Sequence, residues 1–133
     1  MTKEELCRRA QDMLPMAYVP YSHFPVGAAL EGEDGRIFTG CNIENAAYGP
    51  TNCAERTAVF KAVSEGCLRF RRIAIAADTE TFTAPCGVCR QVLAEFDPEG
   101  RMEVILVNRR GGTKDLTLGE LFPYSFGGAD LAK

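Results

Sequence analysis

The chain has no long hydrophobic run, no block of basic residues, almost no histidine and no internal repeat. Each absence narrows the field. No stretch approaches the roughly 20 apolar residues that a membrane helix requires, so no membrane partner is expected. The opening Met-Thr-Lys-Glu-Glu is acidic and lacks an apolar h-region, which predicts a cytoplasmic protein without a secretory signal. Net charge is −3, and a phosphate backbone needs a basic footprint, so long nucleic acid is not an expected partner. The single histidine, His23, lies in a Tyr21-Ser22-His23-Phe24-Pro25 loop and reads as a packing or hydrogen-bonding residue rather than a metal ligand. No Pro/Gly/Ser-rich linker divides the chain. With 133 residues, 46% hydrophobic and 25% charged, a single domain over 1–133 with a self-sufficient core is expected.

What is present in excess is cysteine: six residues. Without an export signal, reduced thiols are the stronger reading over a disulfide framework. Cys7, Cys41 and Cys67 are scattered and read as small buried hydrophobes.

The periodicity predicts an α/β chain. Leu6, Ala10, Met13, Leu14 and Ala17 define an amphipathic helix, with Thr2 and Glu5 as a capping box and Pro15 as its kink or stop. Val26 to Leu30 and Arg36 to Glu44 read as a hairpin around Glu31-Gly32-Glu33-Asp34-Gly35. After an irregular loop over 45–52, a helical pattern begins at Cys53 and ends at Gly66. The apolar run Ile73 to Ala77 is a central strand. A second helical stripe, Val88, Val92, Leu93 and Phe96, leads to a strand over Met102 to Val107, making a parallel βαβ unit.

Cys86-Gly87-Val88-Cys89 opens the second of these helices, and residues three apart share a helix face, so both sulfurs can converge. Alone, the pattern is ambiguous between metal and thiol redox chemistry. Cys53 also sits at a predicted helix start, where the partial positive charge favours thiolate. Three thiolates make a zinc set, and no fourth ligand stands beside them. Structural zinc sites are closed by four protein ligands, whereas catalytic ones keep a position for water. Glu55, two residues after Cys53, can carry protons for such a water, although a helix-start glutamate favoured by the dipole looks the same. Arg56 can offset the net charge of three thiolates on a dication, or can be a surface charge. Asn42 and Glu44, at i and i+2 on the second strand, point to one face and suit a sugar hydroxyl, or a solvated edge. Phe24 can stack on a ring or cover the core.

Cys53-Ala54-Glu55 followed by Pro85-Cys86-Gly87-Val88-Cys89 resembles the zinc deaminase signature, with cysteine in place of its histidine. With Arg56 next in line, the pattern is similar to the short, homotetrameric cytidine deaminases. Tyr18-Val19-Pro20-Tyr21-Ser22, Phe24-Pro25-Val26-Gly27-Ala28-Ala29-Leu30 and Gly40-Cys41-Asn42-Ile43-Glu44-Asn45 extend the likeness over most of residues 18 to 96. The resemblance implies a three-layer α/β/α sandwich around a mixed five-stranded sheet. It implies Zn2+, one per chain, on Cys53, Cys86 and Cys89, with a zinc-activated water attacking C4 of cytosine. By the same likeness Glu55 shuttles the proton to N3 and the leaving amine. Ala54 holds the base through its backbone, Phe24 packs on it, Asn42 and Glu44 hold the ribose 3′-hydroxyl, and Arg56 hydrogen-bonds the thiolates. Active sites completed across subunits of a homotetramer are implied as well, with Tyr48 and Phe126 carried over to that role. The implied reaction is hydrolysis of cytidine and deoxycytidine to uridine and deoxyuridine, in pyrimidine salvage. Rival readings are deamination of another small aminated base such as blasticidin S, a polynucleotide deaminase, and a non-enzymatic zinc or redox module.

Overall fold

Five short strands, the central ones buried along nearly their whole length, build one mixed sheet, described in the computed structural model over residues 1–132. Helix α1 (Lys3–Asp12) is started by the Thr2/Glu5 capping box, and a 3-10 turn over Leu14–Met16 follows where Pro15 forbids continuation. The chain then forms β1 (Val26–Gly32), β2 (Ile37–Cys41), α2 (Ala54–Ser64), β3 (Phe70–Ala77), α3 (Gly87–Glu95), β4 (Glu103–Val107), β5 (Thr113–Thr117), and the short helices α4 (Leu118–Leu121) and α5 (Gly128–Leu131). Sheet order is β2-β1-β3-β4-β5. Only the β3–β4 pair is parallel, as the predicted βαβ unit requires; β1–β2, β1–β3 and β4–β5 are antiparallel.

Strand side chains alternate between two faces, and both are buried. Ala29, Ala74, Ala76, Ile105 and Val107 pack with Leu6 and Ala10 of α1 on one face. Leu30, Ile73, Ile75, Val104 and Leu106 pack with Ala58, Val59 and Leu93 of α2 and α3 on the other. Helix, sheet and helices thus form three layers. Cys7, Cys41 and Cys67 are buried and unpaired, as small hydrophobes are.

Two expectations are corrected. The second strand stops at Cys41, because the Asn42 side chain takes over: its Oδ1 accepts from the Val26 N–H at 2.9 Å and its Nδ2 donates to the Phe24 carbonyl at 2.8 Å. Asn42 and Glu44 therefore lie beyond the strand, flanking an isolated bridge at Ile43. Val88, placed on the core stripe of α3, is exposed; Cys89 takes the buried position instead.

Gly40 sets how closely β2 meets α2. A Cβ there would collide with the Ala54 carbonyl and stand 2.7 Å from the Ala58 nitrogen, so α2 would have to move away from the sheet. Gly40→Ala is expected to lower stability by about 1–3 kcal/mol, the usual cost of overpacking, measured by denaturant unfolding.

Candidate metal centre and adjoining cavity

Both helices that begin at the same end of the sheet carry cysteine at the N-cap. Cys53 caps α2 and Cys86 caps α3, and neither side chain accepts from a backbone amide of its own helix. Serine or aspartate at an N-cap would turn inward to a free amide. The thiols do not, which leaves both sulfurs available to a third party. Cys89, one turn along α3 and fully buried, brings a third sulfur to the same point. All three Sγ atoms lie within 4.8 Å of one another, and Cys53 Sγ is 3.7 Å from Cys86 Sγ. A tetrahedral zinc with bonds near 2.3 Å places its sulfurs about 3.8 Å apart. The trio therefore fits a zinc ion, and no fourth His, Cys, Asp or Glu joins the cluster among the described residues.

Electrostatics favour the same reading. The Cys53 thiol is driven well below its ordinary range, chiefly by a hydrogen bond from Cys89, helped by Arg56 and Cys86. Cys89 is driven up by that shared hydrogen bond and by burial, so it keeps the proton while Cys53 holds the charge. The Arg56 Nη2 donates to Cys53 Sγ at 3.3 Å, which makes it a partner of the thiolates and not a surface charge.

A cavity of about 220 Å3 opens beside the sulfurs, lined by Phe24, Val26, Asn42, Cys53, Ala54, Glu55, Ile75, Thr83, Ala84 and Cys86. It lies beyond the carboxyl ends of β2 and β3, where open α/β sheets place their ligands. Glu55 is only 4% exposed. Burial raises its carboxyl from 4.5 to about 7; a hydrogen bond from its own backbone amide opposes the rise, the nearby Cys53 charge adds to it, and Arg56 is a smaller counterweight. A carboxyl poised near neutrality suits proton transfer in either direction. Ala54 supplies the first amide of α2, one of the N–H groups for which a helix has no internal acceptor. Phe24 remains 41% exposed at the mouth.

Glu44 does not line this cavity. Its Oε1 accepts from the Tyr21 and Ser22 amides at 3.0 and 3.1 Å, which holds its carboxyl below the usual range, with the Ser22 side chain the largest influence. With Tyr48 and Asn45 it borders an adjacent recess of about 330 Å3. Tyr48 and Phe126 are 86% and 56% exposed and neither reaches the sulfur-lined cavity of its own chain. His23 is exposed at φ 55°, serving a turn rather than the core. Thr83 and Ala84 line the cavity without having been singled out in the sequence. Their position immediately before Pro85-Cys86 was the available signal.

Comparisons with known proteins agree with this geometry. Residues 1–105 match the family model described as the cytidine and deoxycytidylate deaminase zinc-binding region. A cytidine deaminase of Sporosarcina psychrophila is 53% identical over 132 residues, covering 99% of this chain and 96% of the relative. That of Halalkalibacterium halodurans is 49% identical, with 98% of each covered. The crystal structure of cytidine deaminase from Burkholderia pseudomallei superposes with a TM-score of 0.90 at 45% identity, covering 95% of this chain and all of that one. With three thiols converging at two helix starts and a buried glutamate beside them, the chain belongs to the cytidine and deoxycytidylate deaminase family.

Proposed function

We propose that this chain hydrolyses the exocyclic C–N bond of cytidine and deoxycytidine, forming uridine and deoxyuridine and releasing ammonia, as a cytoplasmic enzyme of pyrimidine salvage whose single domain spans 1–133. The observation that carries the reading is Glu55, buried in the same small cavity as Cys53 and Cys86, whose sulfurs cluster with that of Cys89. Cys53, Cys86 and Cys89 would hold zinc. The bound ion would supply an acidified water as nucleophile.

The residues of the chain then divide the remaining work. Glu55, with its carboxyl near neutrality, would carry the first proton of the attacking water to N3, where it stays in the uracil product, and the second, from the hydroxyl then on C4, to the departing amine. The Ala54 amide holds the base and Phe24 covers its face at the mouth. Asn42 and Glu44 hold the ribose 3′-hydroxyl. Asn42 ties Phe24 and Val26 together through its own side chain, so sugar and base contacts share one rigid support. In a homotetramer, Tyr48 and Phe126 complete a neighbour's site; the exposure of both rings in the single chain supports this.

The test is the ultraviolet spectrum of cytidine incubated with purified protein. Conversion of the cytosine band to that of uracil, stopped by a chelator, is expected. An unchanged spectrum with one zinc bound per chain would overturn the proposal. Arg56→Gln removes the cation from the thiolates and is expected to cost about 10–100-fold in kcat while zinc stays bound, the usual range for partners of metal ligands. Zinc content and kcat measured on the same sample check it.

A further inference from the structure

We propose that Arg90 is a positioning residue for this deaminase site, bracing the Ala84-Pro85-Cys86 strip against the C-terminal part of the chain; the inference rests on the function proposed above. Arg90 follows Cys89 in α3 and is half-buried. Its Nε donates to the Pro85 carbonyl at 2.8 Å, and its Nη1 donates to the Leu121 carbonyl at 2.6 Å. No carboxylate pairs with it among the described residues. Its charge is directed wholly at two backbone oxygens.

Both oxygens lack another natural partner. Pro85 is fully buried and precedes the N-cap Cys86, so its carbonyl lies outside the hydrogen-bond ladder of α3. Leu121 ends α4, where carbonyls are left without helical donors. A guanidinium fork reaches both at once. An ammonium, a point donor on a flexible stem, can hold one. Beside Arg90, the Gln91 Nε2 donates to the Phe126 carbonyl at 2.8 Å, so the same helical turn holds the C-terminal segment at a second point.

The consequence reaches the reacting base through Pro85. Ala84 on one side lines the cavity, and Cys86 on the other is a zinc ligand. The proline ring fixes φ, so a rotation of its carbonyl moves both neighbours together. Displacement of about 1 Å in a reacting geometry costs roughly 100-fold. Arg90 touches neither substrate nor metal and acts through this strip.

Arg90→Lys and Arg90→Gln, prepared with zinc, decide the matter by steady-state kinetics per bound zinc and by hydrogen–deuterium exchange. Both variants are expected to keep one zinc per chain. They are expected to lose about 10- to 100-fold in kcat/KM, mostly in kcat because Asn42 and Glu44 are untouched, with Lys less affected than Gln. Exchange should quicken over residues 79–86 and 119–126 while α2 and β3 stay protected. Normal kcat and KM per zinc in both variants would overturn the proposal, as would a uniform loss of protection across the chain, which marks a merely structural role. Should Arg90→Gln fail to fold, Arg90→Lys, which keeps the stem and one hydrogen bond, decides alone. If the unaltered protein does not deaminate cytidine, the functional reading falls, and the localised exchange pattern still tests the brace.

Discussion

Glu55→Gln is expected to retain zinc and fold while losing about 100- to 10,000-fold in kcat, the range that positioned proton transfer contributes. Glutamine preserves the volume of a buried side chain but can neither accept the water's proton nor deliver one to N3. A near-normal kcat with cytidine would remove Glu55 from the mechanism. The same substitution has a second, independent signature in chelator-stripped protein. Folding raises this carboxyl from 4.5 to about 7, so the folded state binds its proton more tightly than the unfolded state does. Below about pH 4 both states are protonated and Glu55 costs nothing. As pH rises from 4.5 to 7 the unfolded state gives up this proton while the folded state keeps it, and the penalty grows to about 3 kcal/mol. Stripped Glu55→Gln should therefore be more stable than the stripped parent at pH 8, and the difference should vanish as pH falls through that window. Urea unfolding at several pH values reads it directly.

The site was legible in the sequence where local rules place side chains, and illegible where distant segments meet. Cys86 and Cys89 had to converge because three residues bring side chains back to one helical face. Cys53 could be added because an N-cap is a place with a defined geometry. The sheet followed from apolar strands, and its parallel pair from the helix between β3 and β4. The end of β2 was missed because at Asn42 the side chain, beside a long backbone bond to Val26, takes the next partners, and such bonds leave no mark in hydropathy. Strand β5 was not read as a strand: Thr113 to Asp115 are exposed on the sheet edge, which leaves Leu116 as its one apolar position. Helix α5 is four residues long, too short for any period to show. Arg90 was invisible for another reason. Its two acceptors are backbone carbonyls that only the tertiary structure brings together.

Cys86→Ala is expected to abolish both zinc binding and turnover without unfolding the chain. Losing a residue that merely supports a metal ligand already costs about 10–100-fold, and loss of the ligand itself should exceed that. Cys86 is exposed, so its truncation leaves no cavity in the core. Both faces of the sheet are packed by core clusters that do not include Cys86, with Leu6 and Ile105 on one side and Val59 and Val104 on the other. A far-ultraviolet circular dichroism spectrum unchanged from the parent is therefore expected. The melting temperature should fall by no more than the parent itself loses on chelation, since that linkage is all the metal adds to folding. A purely structural zinc module behaves in the opposite way: apo chains unfold, and substituting the nearby glutamate changes nothing. Zinc loading of the parent must also deprotonate its thiol ligands, so affinity should weaken as pH falls. The two substitutions thus separate the two functions of the site. Glu55→Gln keeps the metal and loses the proton carrier, Cys86→Ala loses the metal and with it the nucleophile, and a folded chain in both cases assigns the sulfurs to catalysis rather than to holding the protein together.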